Sequence, residues 1–161
     1  MGKRERELFD YRDGALYWKK PTSNRVRVGD LAGGLTTKGY YVVAYDKKKR
    51  MLHRVIWDYF NDEGCAGFLV DHKNRDPSDN RIENLRLCNY SENAGNARRH
   101  RDNSVGLKGV HRHKDGRFRA QIMVKGKKSC LGVHDTPEEA HAAYLSAAKR
   151  GFGGFHHGGE I

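Results

Sequence analysis

The sequence predicts an α+β chain with three parts. These are an N-terminal small β-rich region plus a helix, a central strand–turn–strand–helix unit, and a C-terminal three-stranded antiparallel sheet packed on one helix. Three observations predict it. Phe118, Ala120, Ile122 and Val124 alternate with Arg119, Gln121, Met123 and Lys125, the period of a strand with one apolar face. Leu52, Val55, Ile56 and Tyr59 recur at i, i+3, i+4 and i+7, one face of a helix. Two short runs, Gly67–Val70 and Asn84–Cys88, flank a polar turn and lead to Asn89 and Glu92, the spacing of a helix-capping box.

The elements follow in chain order. Ala15–Lys19 and the Tyr- and Val-rich Gly39–Asp46 read as strands. Asp46–Lys49 reads as a basic turn into Arg50–His53, and Asn61–Gly64 ends the helix that follows. DHKNRDPSDNR is rich in turn formers, and a helix is expected over Tyr90–Arg99. Arg99–Ser104 reads as a linker. His111–His113, Arg117–Lys125 and Lys127–Gly132 read as three strands, with glycine in both turns, KDG and KG. Thr136 is the expected N-cap of a last helix, with Pro137 at its first position and Glu139 completing a box. Ala140, Ala143, Tyr144, Ala147 and Ala148 form its buried stripe, and Gly151 closes it. The Gly-rich tail GFGGFHHGGEI is expected to fray. The domain division is thus 1–60, 61–100, a linker at 101–105, 106–155, and a tail at 156–161.

Composition narrows the function. The 161 residues carry 31 Lys and Arg against 20 Asp and Glu, a net charge of +11. The excess is uneven: residues 1–60 carry +7, residues 61–100 carry −1 and residues 101–161 carry +5. Two basic flanks around a near-neutral middle suit a polyanion partner, with a middle that does something a pure binder would not need. No apolar run approaches the roughly 18 residues of a membrane span, and no secretory signal is visible behind the basic start. The chain is therefore expected in the cytoplasm, that of a host cell if phage-encoded. Cys65, Cys88 and Cys130 form no CxxC pair, so neither a disulfide scaffold nor a structural zinc site is expected.

The middle gathers Asp71, His72, Asn84 and Asn93. Hydrolysis of a phosphodiester needs a base effective near pH 7, the range of an unperturbed imidazole. It also needs neutralisation of charge on the phosphate and leaving oxygen, which a divalent cation on oxygen ligands supplies. These residue types can meet both needs.

At these residues the sequence resembles a known family. DHKNRDPSDNRIENLRLCNYSEN looks like the HNH endonuclease motif, in the His-Asn-Asn variant of bacteriophage homing endonucleases. His72, Asn84 and Asn93 match the three signature positions, and Asp71 matches the family's acid. The resemblance implies a ββα-metal unit over about residues 66–100. It makes His72 the general base and Asn84 a brace of the loop carrying it. It gives one Mg²⁺ or Mn²⁺ to Asp71 and Asn93, and it implies products with 5′-phosphate and 3′-hydroxyl ends. LHRVIWDYF, with His53 and Arg54, also looks like the helix that commonly precedes this motif; His53 reads as structural or as a phosphate contact.

The last segment, GVHRHKDGRFRAQIMVKGKKSCLGVHDTPEEAHAAYLSAAKRGFGGF, is similar to the plant ethylene-response-factor type of DNA-binding domain. That resemblance implies a sheet in the DNA major groove. Arg112, Arg117, Arg119 and Gln121 would face bases and phosphates, with Lys127 and Lys128 nearby. Plant members usually carry Trp where this chain has Phe118, so base preferences do not transfer. Lys47, Lys48, Lys49 and Arg54 are further candidate DNA contacts; Arg98 and Arg99 are either linker residues or phosphate contacts. The expectation is a monomeric, metal-dependent nuclease on double-stranded DNA that nicks one strand. The alternative is a non-enzymatic DNA-binding regulator on a retained nuclease scaffold. An RNA-binding protein is a weaker third reading, because the usual stacking-aromatic motifs are not apparent.

Overall fold

A computed structural model describes residues 2–156, and the chain divides into two compact units, Met1–Leu87 and Cys88–Ile161. Helix and strand are mixed throughout, as an α+β chain requires. No helix among the described residues is long and apolar enough to cross a membrane.

The first unit holds α1 (Gly2–Leu8), β1 (Phe9–Arg12), β2 (Ala15–Trp18), β3 (Gly34–Leu35), β4 (Tyr41–Tyr45), β5 (Lys48–Met51), α2 (Leu52–Phe60), β6 (Leu69–His72) and β7 (Leu85–Cys88). A 3-10 turn over Ile82–Asn84 leads into β7. β1 and β2 pair antiparallel, Phe9 opposite Trp18. β4 pairs with β3 on one side and β5 on the other, and β6 pairs with β7. Asp46 and Lys47 both take positive φ (49° and 60°), so Tyr45 faces Lys48 across a two-residue turn whose twist matches the strands. Helix α2 buries Leu52, Val55 and Ile56, the stripe its spacing predicts. They join Leu8, Phe9, Leu16, Trp18, Val43 and Tyr45 in one core. The Phe9 ring lies 4.7 Å from Trp18 and meets Tyr45 edge-on at 5.3 Å.

Several elements here depart from the sequence reading. α1 is a helix where only strands were expected, β1 and β3 were not foreseen, β5 begins at Lys48 within the expected Asp46–Lys49 turn, and β6 runs Leu69–His72 rather than Gly67–Val70. GKREREL has no apolar period; tertiary contacts hold it instead. Glu5 is buried and accepts the Tyr45 hydroxyl at 2.8 Å, while Arg6 donates to the Tyr59 carbonyl at 2.7 Å. Burial and the Glu5 carboxylate together raise the Tyr45 pKa.

The second unit holds α3 (Tyr90–Asn96), β8 (Val110–Arg112), β9 (Phe118–Val124), β10 (Lys127–His134) and α4 (Pro137–Phe152). The sheet runs β10-β9-β8, antiparallel at both pairings, with an irregularity between Cys130 and Gly132. The apolar face of β9 meets α4 through Ala120 and Ile122, against Ala140, Tyr144, Ala147 and Ala148. Thr136 caps α4 by accepting the Glu139 N–H at 3.2 Å. Asn89 and Glu92 form the full reciprocal box at α3. At Gly109 (φ 78°) an added Cβ would sit 2.0 Å from the Tyr144 ring, so only glycine fits there.

Both helix ends differ from expectation. α3 stops at Asn96, not Arg99, because Ala97 turns extended (ψ 146°). Arg98 and Arg99 therefore follow the helix. α4 continues through Gly151 to Phe152, whose buried ring rewards the extra turn, and Gly153 (φ 55°) takes the cap. The first part of the expected fraying tail is thus ordered through Phe155; residues 157–161 lie outside the described residues.

Candidate active site

Strand β6 ends on Asp71 and His72, and both side chains are buried. The polar turn that follows is closed by Asn84. Its backbone carbonyl accepts the Lys73 N–H at 2.8 Å, and its Oδ1 accepts the Asn74 N–H at 3.1 Å. Its Nδ2 donates to Asn74 Oδ1 at 3.0 Å and to the Asp79 carbonyl at 2.7 Å. One buried amide thus ties both ends of the turn through which the chain leaves His72. Asp79 adds a second clasp: it accepts Asn74 Nδ2 and the Arg81 guanidinium fork, and Arg81 holds its carboxyl down to about 2.

Asn80, buried at the end of this turn, sets the His72 ring. Its Nδ2 donates to the Ser78 carbonyl at 3.1 Å, so its Oδ1 is the atom turned to His72 Nε2, 3.1 Å away. An amide oxygen can only accept, so Nε2 carries the proton in the neutral ring and Nδ1 holds the lone pair.

Two aromatic rings pack beside it. His53, from α2, meets His72 edge-on with centroids 4.9 Å apart, and Tyr40 lies 6.3 Å from His72 and 5.9 Å from His53. His53 is buried and its Nδ1 has no partner among the described residues. Burial chiefly, with the neighbouring His72 ring and Arg54 guanidinium acting in the same direction, lowers its pKa to about 3, so it is neutral near pH 7.

Asp71 is held by Arg86 on the neighbouring strand β7. Both Nε and one terminal nitrogen lie 3.0 Å from Asp71 Oδ2, with both side chains largely buried. A carboxylate this dry needs such a partner. Asp71, His72 and Asn84 are therefore brought together in the first unit. Asn93 lies on α3 in the second unit, with its side chain exposed. Among the described residues no group of three or more His, Cys, Asp or Glu gathers. A cation here would rely on few protein ligands. The Asp71 carboxylate is a hard oxygen donor, and Mg²⁺ takes few protein ligands, completing its shell with water and substrate phosphate.

The remaining candidates are arranged as follows. Cross-strand register puts Arg119 opposite His111 and Val133, Gln121 opposite Cys130, and Lys128 opposite Met123. Arg119, Gln121 and Lys128 thus share the face of the sheet away from α4, with His111 beside them. Arg112 and Lys127 fall on the opposite alternation, with the Arg112 guanidinium 5.6 Å above the Phe118 ring. Arg117 is in the hairpin, its guanidinium bound to Asp115 at 2.8 and 2.9 Å. Lys47, Lys48 and Lys49 are exposed at the β4–β5 hairpin. Arg54 donates to the Phe68 carbonyl at 3.0 Å and the Cys65 carbonyl at 3.5 Å.

Sequence reasoning missed Asn80, Arg86, His53 as a neighbour of His72, and His111. Arg86 carried a signal, a lone cation between Leu85 and Leu87 in a strand whose partner ends in a carboxylate. Asn80, within a run of turn formers, carried none.

A family model for HNH endonuclease matches residues 50–95, from the end of β5 through most of α3. "Protein 3.8" of Escherichia phage T7 is 30% identical over 87 residues, covering 53% of this chain and 72% of that protein. "Uncharacterized HNH endonuclease L560" of Acanthamoeba polyphaga mimivirus is 29% identical over 119 residues, 73% of this chain and 62% of that protein. No solved structure matches the chain. The chain belongs to the HNH endonuclease family, nucleases acting on DNA.

Proposed function

We propose that this protein is a metal-dependent DNA endonuclease in which His72 is the general base and Asp71 and Asn93 are the metal ligands. The observation that carries the reading is the Asn80–His72 bond, because a general base needs a defined tautomer and this bond supplies one. His72 Nδ1 takes a proton from the attacking water, and Asn84 keeps the turn, and so the ring, in place. The bound cation would polarise the phosphate and neutralise charge on the leaving oxygen. The products are a 5′-phosphate and a 3′-hydroxyl, and a monomer with one such centre nicks one strand. Its motif suggests the bacteriophage homing-endonuclease type. The C-terminal sheet acts as an ethylene-response-factor-like reader of double-stranded DNA, with Arg119, Gln121 and Lys128 on its open face. Arg112, Arg117, Lys127, the Lys47–Lys49 hairpin, Arg98 and Arg99 add phosphate contacts.

The test is cleavage of supercoiled plasmid with Mg²⁺, with Mn²⁺ and with chelator. Conversion to open circles with either metal and none with chelator is the expected result. Tight DNA binding without cutting under both metals would instead mark a regulator on a nuclease scaffold.

A further inference from the structure

We propose that Lys108 is a positioning residue for Asn93, so that the C-terminal unit holds the nuclease helix as well as reading DNA. The proposal rests on Asn93 being a metal ligand. Helix α3 has seven residues, far fewer than a free helix needs in water. Its support comes from the unit to which it belongs.

The Lys108 ammonium donates to three carbonyls at the helix end, Ala94 at 3.3 Å, Gly95 at 2.7 Å and Ala97 at 2.5 Å. Three N–H donors meet three orphan acceptors, and a cation is placed where the helix dipole is negative. Lys108 is itself fixed: its carbonyl accepts His141 Nδ1–H from α4 at 3.0 Å, and the next residue, Gly109, accepts the Gln121 N–H from β9 at 2.9 Å. Two further contacts hold α3. Ser91 Oγ accepts the Lys125 N–H at 2.8 Å. Gly95 lies so close to Phe152 that an added Cβ would come within 2.6 Å of the ring. Glycine is disfavoured within a helix relative to alanine, and this close approach is what it permits. Asn93 stands between these anchors, two residues from Ser91 and Gly95 and next to Ala94. A ligand on a seven-residue helix keeps its aim only if the helix does.

The experiment uses the full-length chain. Lys108→Met keeps the stem and removes the ammonium; Lys108→Arg restores donors. Each is placed in the His72→Ala background, bound to a duplex carrying the nick site mapped with the wild-type enzyme. Mn²⁺ is titrated into the complex and free Mn²⁺ is counted by electron paramagnetic resonance, with Asn93→Ala as the baseline. Lys108→Met is expected to weaken Mn²⁺ binding by about tenfold or more, the usual effect of losing a ligand-orienting partner. Lys108→Arg should recover most of it, and DNA affinity in chelator should hold within about twofold. With His72 restored, the Mn²⁺ concentration for half-maximal single-turnover cutting should shift by the same factor. Unchanged Mn²⁺ binding in Lys108→Met, or a loss confined to DNA affinity, overturns the proposal. Mn²⁺ binding that survives Asn93→Ala overturns the ligand assignment beneath it instead. If circular dichroism shows Lys108→Met unfolded, Ser91→Ala decides: a several-fold weaker Mn²⁺ affinity supports the proposal, and an unchanged one overturns it.

Discussion

At the scale of single residues, the site is a set of polar groups held dry and aimed by neighbours. His72 is oriented by Asn80 and flanked by His53, whose own ring is kept neutral by burial. This has a consequence for acid stability. The His53 pKa falls from an unfolded value near 6.5 to about 3 in the folded chain. Between those values the unfolded state binds more protons, so stability is full above pH 6.5 and is lost as pH falls towards 3. The fully developed slope is about 1.4 kcal/mol per pH unit for one proton. His111, also lowered by burial and by Arg119 and Lys128, adds to it in the same direction. Denaturant midpoints should therefore drop between pH 7 and 4.5, and His53→Phe should remove the larger part of that drop. A drop unchanged in His53→Phe would mean the ring is hydrated.

Asp71, His72 and Asn84, which the fold brings together in the first unit, could be picked out as candidates because their spacing is local and shared with a family; Asn93, the fourth candidate, lies in the second unit. Asn80 and Tyr40 could not be picked out. Their roles depend on the fold of a turn and on a long-range packing contact, neither of which leaves a periodic trace.

At the scale of elements, strands β6 and β7 are joined by more than their backbone. Asp71 and Arg86 form a largely buried ion pair across them. Removing one partner leaves the other charged, dry and uncompensated, so Arg86→Met should destabilise the first unit by about 3 kcal/mol. Asp71→Asn with Arg86→Met should recover much of that loss, measured as a double-mutant cycle in urea. Additive losses would show the pair to be uncoupled. Elements whose burial repeats along the chain were readable: α2 from its stripe, β9 from its alternation, α4 from Thr136 and Pro137. α1 was not, since its buried positions, Gly2, Glu5 and Leu8, include a carboxylate whose Oε1 accepts the remote Tyr45 hydroxyl. The end of α4 was misread for a related reason. Gly151 looks like a stop, but the next residue, Phe152, has a core to enter.

At the scale of the whole molecule, the net charge of +11 and the two basic flanks suit a polyanionic duplex. The C-terminal sheet's open face carries Arg119, with His111 opposite it. Arg119→Ala should weaken target binding by about 1–3 kcal/mol in titrations at fixed salt. Single-turnover cutting at saturating protein should stay within about twofold of wild type. The reverse pattern would take the sheet off the DNA. The basic flanks and the identity of the C-terminal sheet and helix could be read from composition and pattern. The membership of α3 in the second unit could not, because it depends on Lys108, Lys125 and Phe152, which are remote in sequence from the motif they support.

The central claim is that His72 is the general base, and one comparison tests it most directly. Wild type and His72→Ala are measured side by side, for DNA affinity in chelator and for single-turnover cleavage with Mg²⁺ at saturating protein. Cleavage should fall by about 10²–10⁴-fold while affinity is unchanged. Cutting at the wild-type rate, or a parallel loss of affinity and cutting, would contradict it.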